Sequence, residues 1–182
     1  MTFYVEFYAE QAFLSFIKNN LQSAEAGEQT SFTLEKGAVI VLSCAAALEA
    51  TLNQLFQDDK RLQHYDSLRI LEKAETLADF AKIKIDWGSQ PWQEIQRLIK
   101  VRNWLAHFKE TKIGLISGEG KWIKDSVNRL PKLDPDIELS LQQVKRYYDS
   151  VLGSLLLLAK GLGLQDKYRF LETQEYDYYM VG

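Results

Sequence analysis

Apolar residues recur at three- and four-residue intervals along most of this 182-residue chain, the pattern of helices that bury one face. Phe3, Phe7, Phe13, Phe16 and Ile17 predict a first helix reaching about Ala24, where the polar GEQTS stretch ends it. From Leu34 to about Gln57 the residues are apolar nearly all round, which marks a central helix, and Thr33 before it offers the hydroxyl of an N-cap. A shorter helix through LRILEKAETLADFAK, capped by Asp66 or Ser67, carries Leu68, Leu71, Leu77 and Phe80 as one buried stripe. IDWGSQ breaks it. Pro91, favoured in a helix's first turn, then opens a fourth helix with Ile95, Leu98, Ile99, Val101, Leu105 and Phe108 along it.

Between Lys109 and Asp136 the pattern changes to apolar and polar residues alternating around Gly118 and Gly120, which predicts a short hairpin or an irregular loop. Helical spacing resumes near Glu138, and Leu139, Leu141, Val144, Tyr147, Val151, Leu155 and Leu158 define a long helix to about Lys160. The expectation is an all-α fold: an antiparallel bundle of about five helices with a hairpin or loop insertion after the fourth, over about 109–136. The whole chain, 1–182, reads as a single domain with a Tyr-rich, acidic tail over about 165–182. The tail tyrosines at 176, 178 and 179 are expected to dock as a C-terminal arm or to stay disordered.

Composition narrows the function classes. A net charge of −3 and a pI near 5.5 exclude broad electrostatic coating of nucleic acid, so any such contact must be local. Cys44 is the only cysteine and sits in helix-core surroundings, which suits a reducing cytoplasm. The most apolar run, Gly37 to Leu48, falls short of the roughly 18 to 20 residues that span a bilayer, and acidic residues stand where a signal peptide would be basic. No membrane association is expected. One Cys and two His give no zinc-ligand spacing, and no P-loop or dinucleotide glycine pattern occurs, so no cofactor and no metal are expected. His64 reads as a solvated turn residue.

The candidate chemistry lies in VRNWLAHFKE, 101 to 110, where Arg102, Asn103 and His107 interrupt an apolar segment. At about 100° per residue Asn103 and His107 stack as an i,i+4 pair, while Arg102 and His107 stand about 140° apart, a gap a long arginine covers. A histidine supplies a proton donor or acceptor near neutrality, and a guanidinium suits a phosphate. The plainer reading has Arg102 reaching solvent along the helix while Asn103 and His107 cap its C-terminus.

RNWLAH resembles the Arg-x4–6-His motif of HEPN (higher eukaryotes and prokaryotes nucleotide-binding) domains, in which a polar residue, often Asn, follows the Arg late in a helix of a four- or five-helix bundle. The resemblance covers roughly residues 34 to 160 in helix order. It implies that Arg102, Asn103 and His107 form a catalytic, metal-independent ribonuclease site, completed across a homodimer interface by the same residues of a second subunit. It further implies a toxin or defence effector with RNA as substrate and a cognate antitoxin as partner. In HEPN toxins paired with minimal nucleotidyltransferase antitoxins a tyrosine often stands two residues after the histidine; here that position is Lys109, which argues against that particular partner.

Two other features bear on the motif. Glu49 and Asn53 form an i,i+4 polar pair in the most apolar helix, and a carboxylate there is costly unless paired, so Arg102 is the expected partner and Glu49 a site-orienting residue. Glu49 facing solvent is the alternative. After the motif, Lys109, Lys112, Lys121, Lys124, Arg129 and Lys132 outnumber Glu110, Glu119 and Asp125. Those lysines would hold RNA phosphates with Trp122 stacking on a base, or else the segment is a charged surface hairpin with Trp122 covering the core. The leading expectation is an endoribonuclease of HEPN type. The competing one is a non-catalytic helical module of the same fold that dimerises or binds a nucleotide or a partner protein.

Overall fold

The computed structural model describes residues 8–27, 32–59, 61–62, 67–106 and 133–176. Among them the chain is all-helical: α1 (Ala9–Glu25), α2 (Leu34–Asp58), α3 (Ile70–Phe80), α4 (Trp92–Ala106), α5 (Pro135–Glu138), α6 (Leu141–Gly161) and α7 (Phe170–Thr173). Four long helices form the bundle, α3 packs beside it, and α5 and α7 are single turns. The expected insertion lies mostly outside the described residues, and its end is the turn α5.

Local chemistry explains most boundaries. Thr33 caps α2, its hydroxyl accepting from the backbone N–H of Lys36 at 3.4 Å, and Ser140 caps α6 by accepting from Gln143 N–H at 3.3 Å. Trp92 starts α4 directly after Pro91. At α3 the expected cap is displaced: Arg69 is the N-cap, and the Glu72 carboxylate accepts from the Arg69 backbone N–H at 2.8 Å. An acidic residue reaching back over the first turn thus replaces Asp66 or Ser67 in setting that end.

Cross-helix contacts fix the directions. Gly37 meets Leu139 just before α6, and Asp58 at the end of α2 meets Lys167 just after it, so α2 and α6 run parallel. Gln90, Glu94 and Arg97 bond Ser150, Gln143 and Glu138 respectively, so α4 runs antiparallel to both. α1 is antiparallel to α2, with Glu10 near Asp58 and Glu25 paired to Lys145. The chain is therefore an up-down-up-down bundle in which α2 contacts α1, α3, α4 and α6.

The central position of α2 accounts for its composition: Ile40, Val41, Cys44, Ala45, Ala47, Leu48, Leu52 and Leu55 are all buried. At 25 residues α2 matches the helix expected from Leu34 to about Gln57 and outlasts the most apolar run, Gly37 to Leu48, because Leu52, Leu55 and Phe56 extend its buried face. By length and composition it could cross a membrane, but over half of its apolar window is buried by neighbouring helices. Burial also raises the Cys44 thiol well above its ordinary range, leaving it un-ionised in the core.

The end of α2 carries a charged hub. Asp58 sits where the helix dipole disfavours a carboxylate, and burial pushes its carboxyl up, yet bonds from Lys167 at 2.5 Å, Tyr168 at 2.7 Å and Gln54 at 3.1 Å hold it below its ordinary range. Beside it, burial raises the carboxyl of Glu10, and Asp58 raises it further.

Two predictions follow from this packing. A Cβ at Gly37 would lie 2.2 Å from the Leu139 carbonyl oxygen, a backbone atom that cannot swing aside. Gly37→Ala should cost about 1–3 kcal/mol, read as a lowered denaturant midpoint at unchanged slope. Glu10 is the opposite case. Its folded carboxyl titrates above its unfolded value near about 4.3, so the native state is penalised at neutral pH and relieved as pH falls through the folded pKa. Glu10→Gln should therefore raise the thermal midpoint at pH 7, with the gain vanishing by about pH 3.5.

Candidate functional site

The motif helix α4 turns Trp92, Ile95, Leu98 and Val101 into the core, with Ile99, Trp104 and Leu105 partly buried against it. Gln93, Lys100 and Asn103 lie on its solvent face. Arg102 is half-buried at the edge between the two faces, and its Nη1 donates to Asn103 Oδ1 at 3.0 Å. The pair thus lies on the outer side of the last turn of α4. His107 directly follows α4 and lies outside the described residues, as do Lys109, Lys112, Lys121, Trp122 and Lys124.

Glu49 is not brought to Arg102. It is half-buried, and among the described residues it has no ion pair with Arg102. The helix directions give the reason. Gly37 and Arg97 share a level at the start of α6, through Leu139 and Glu138. From there Glu49 is about 18 Å along α2 one way and Arg102 about 7 Å along α4 the other way, at about 1.5 Å per residue. An axial gap of about 25 Å exceeds what two side chains bridge. Asn53, the other half of that polar pair, instead accepts from Lys73 Nζ at 2.6 Å. Lys73 is buried on the α3 stripe that also carries Leu77.

What does hold α4 in place is a polar seam that the apolar periodicity hides. Arg97 donates twice to the Glu138 carboxylate, from Nε at 2.9 Å and Nη2 at 2.8 Å, and the Tyr147 hydroxyl donates to the same carboxylate. The fork geometry is the strong form of such a pair, and Glu138 raises the Arg97 guanidinium above its ordinary value. Burial first, and then the bond to Glu138, push the Tyr147 hydroxyl far up, so it stays a donor at every physiological pH. One turn further back Gln143 Nε2 donates to Glu94 at 2.7 Å, and Ser150 donates to Gln90 at 3.3 Å. The legible signal is Glu94 and Arg97 at i and i+3 on a helix already committed to the core, with Gln90 just before it.

Seam and motif differ in what their removal should do. Glu138→Ala leaves a buried tyrosine and a half-exposed guanidinium without their acceptor, and should cost about 2–3 kcal/mol, below the figure for a fully buried pair because Arg97 retains solvent. Arg102→Ala should change stability by no more than about 0.5 kcal/mol. Chemical denaturation of both variants checks the contrast.

Comparison of the chain with family models, with characterised proteins and with solved structures finds no match.

Proposed function

We propose that the protein is a metal-independent endoribonuclease of HEPN type, serving as a toxin or defence effector. The observation that carries this reading is the placement of Arg102 and Asn103: hydrogen-bonded to each other on the outer side of the last turn of α4, five and four positions before His107 in the sequence. In this reading His107 moves the proton of the RNA 2′-hydroxyl or of the leaving oxygen. Arg102 stabilises charge on the phosphorane and Asn103 orients the group beside it. The attacking nucleophile comes from the RNA itself, so the product carries a 2′,3′-cyclic phosphate. Lys109, Lys112, Lys121, Trp122 and Lys124 are the proposed RNA contacts. Glu49 has no part in it, for the geometric reason above.

A homodimer with the site at its interface accompanies the proposal. Leu34, Val39 and Leu42 on α2 are exposed apolar side chains, 42%, 49% and 41% accessible, on a helix otherwise given to the core. They stand near the start of α2, the end of the bundle at which Arg102 lies, and would bring two motif helices together around a two-fold axis. The same apolar side chains favour the second reading, a non-catalytic module that dimerises through this face. A cognate antitoxin would be a further partner.

Purified protein incubated with RNA and a chelator should cleave as well as it does without the chelator. Arg102→Ala and His107→Ala should each lose about 100-fold or more of the rate, as expected for removing a charge stabiliser or an acid–base group. Equal cleavage by both variants would overturn the ribonuclease reading. Intact RNA with a stable dimer would establish the module instead.

A further inference from the structure

Of the tyrosines at 176, 178 and 179, the first is docked on the bundle and the other two lie outside the described residues. The chain reaches Tyr176 in two stages that are held differently. Over 164–171 it is tied into the core: Tyr168 and Leu171 are buried, and Lys167 and Tyr168 both bond Asp58 at the end of α2. α7 then ends at Gln174, a left-handed C-cap at φ +53°, and the chain beyond it crosses the seam between α1 and α6.

Over 174–176 the anchors are polar or edge-on. Lys18 of α1 donates to the Gln174 carbonyl oxygen at 2.7 Å and stands 5.9 Å from the centre of the Tyr176 ring. Tyr148 of α6 shares a hydrogen bond of 2.8 Å with the Tyr176 hydroxyl and reaches the Gln174 side-chain oxygen at 3.5 Å. The Tyr176 ring meets Phe170 edge-on, with 6.3 Å between centres. Gln174 and Tyr176 are only half-buried and Glu175 is exposed. Burial raises both tyrosine hydroxyls above their ordinary range, so the bond between them joins two neutral groups. Segments held by little buried apolar surface open locally, at far less cost than unfolding the packed helices beneath them.

The side chain under this crossing is Tyr148, buried except for its contact with the strand of chain above. Cys44, fully buried on α2, lies within electrostatic reach of the Tyr148 hydroxyl. We infer that residues 174–176 are a strap, latched by Tyr176, that opens over the seam between α1 and α6 while the four long helices stay folded, uncovering Tyr148 and the route to Cys44. Shut, the strap ties α1 to α6 near the middle of α1. Tyr176 governs it, because that one side chain carries both the bond to Tyr148 and the edge contact with Phe170. None of these residues belongs to the motif on α4, so the device is independent of the ribonuclease reading.

Two readouts on the full-length chain, both under native conditions, test the strap. Cys44 is the only cysteine, so the rate of its labelling by a small thiol reagent reports access to one position. Deuterium uptake at Gln174, whose N–H bonds the Phe170 carbonyl oxygen at 2.9 Å, reports the strap itself. Tyr176→Phe removes the latch and keeps the ring. It should speed both readouts about three- to tenfold, the range expected for one neutral hydrogen bond, and Lys18→Met should do the same from the α1 side. Labelling at low denaturant should be nearly independent of denaturant concentration, because a local opening exposes little surface, whereas global unfolding carries the full slope. Labelling that follows the full slope throughout, or readouts that both substitutions leave at the wild-type rate, would overturn the strap. Faster uptake at Gln174 without faster labelling would overturn the route to Cys44.

Discussion

Everything in this fold depends on α2 being surrounded. A 25-residue helix with apolar side chains on nearly every face is stable in water only when other helices cover it, and α1, α3, α4 and α6 do so. A close approach in that arrangement is at Gly37, where the absence of a side chain admits the backbone at Leu139. That contact sets the height of α6 against α2, and α6 in turn sets α4 through the bonds from Gln90, Glu94 and Arg97. The position of Arg102 is therefore inherited, through two helix pairings, from a contact on a different helix.

Much of this was legible from spacing. The four long helices follow from apolar residues at three- and four-residue intervals, and Thr33 and Pro91 mark starts where capping chemistry requires them. Their antiparallel arrangement was expected in outline from a run of amphipathic helices around one apolar helix. What could not be read was which polar side chains meet across helices, because pairing depends on axial level and not on local pattern. Glu49 illustrates this: a carboxylate in an apolar helix pointed either to a partner or to solvent, and the partner expected for it, Arg102, lies at the other end of α4. Lys73 illustrates the converse, a cation on an apolar stripe whose acceptor, Asn53, is twenty positions away. Within the candidate site, the helix corresponds to the sequence reading; Arg102 and Asn103 lie on its outer side, which both the functional and the solvent-reaching reading of Arg102 accommodate, and His107 and the basic segment beyond it lie outside the described residues.

The interior between α4 and α6 carries buried polar side chains. Glu94, Glu138 and Gln143 are buried, and no buried side-chain polar atom among the described residues lacks a hydrogen-bond partner. A directional network of this kind contributes less through net stability than through exclusivity. An apolar seam tolerates a slide of α4 by one turn, whereas the fork between Arg97 and Glu138 fits one register only.

The fork also closes a loop. Arg97 and Glu138 are 41 positions apart, and the chain joining them includes the whole of 107–132. Their bond ties the two roots of that segment, so the entropic cost of bringing its ends together is met by the bundle and not by the segment itself. For a flexible loop that cost grows only by about 0.6 kcal/mol for each doubling of length. Lengthening the connection between Ala106 and Leu133 should accordingly cost the bundle little, because the fork fixes the two helices to each other whatever joins them.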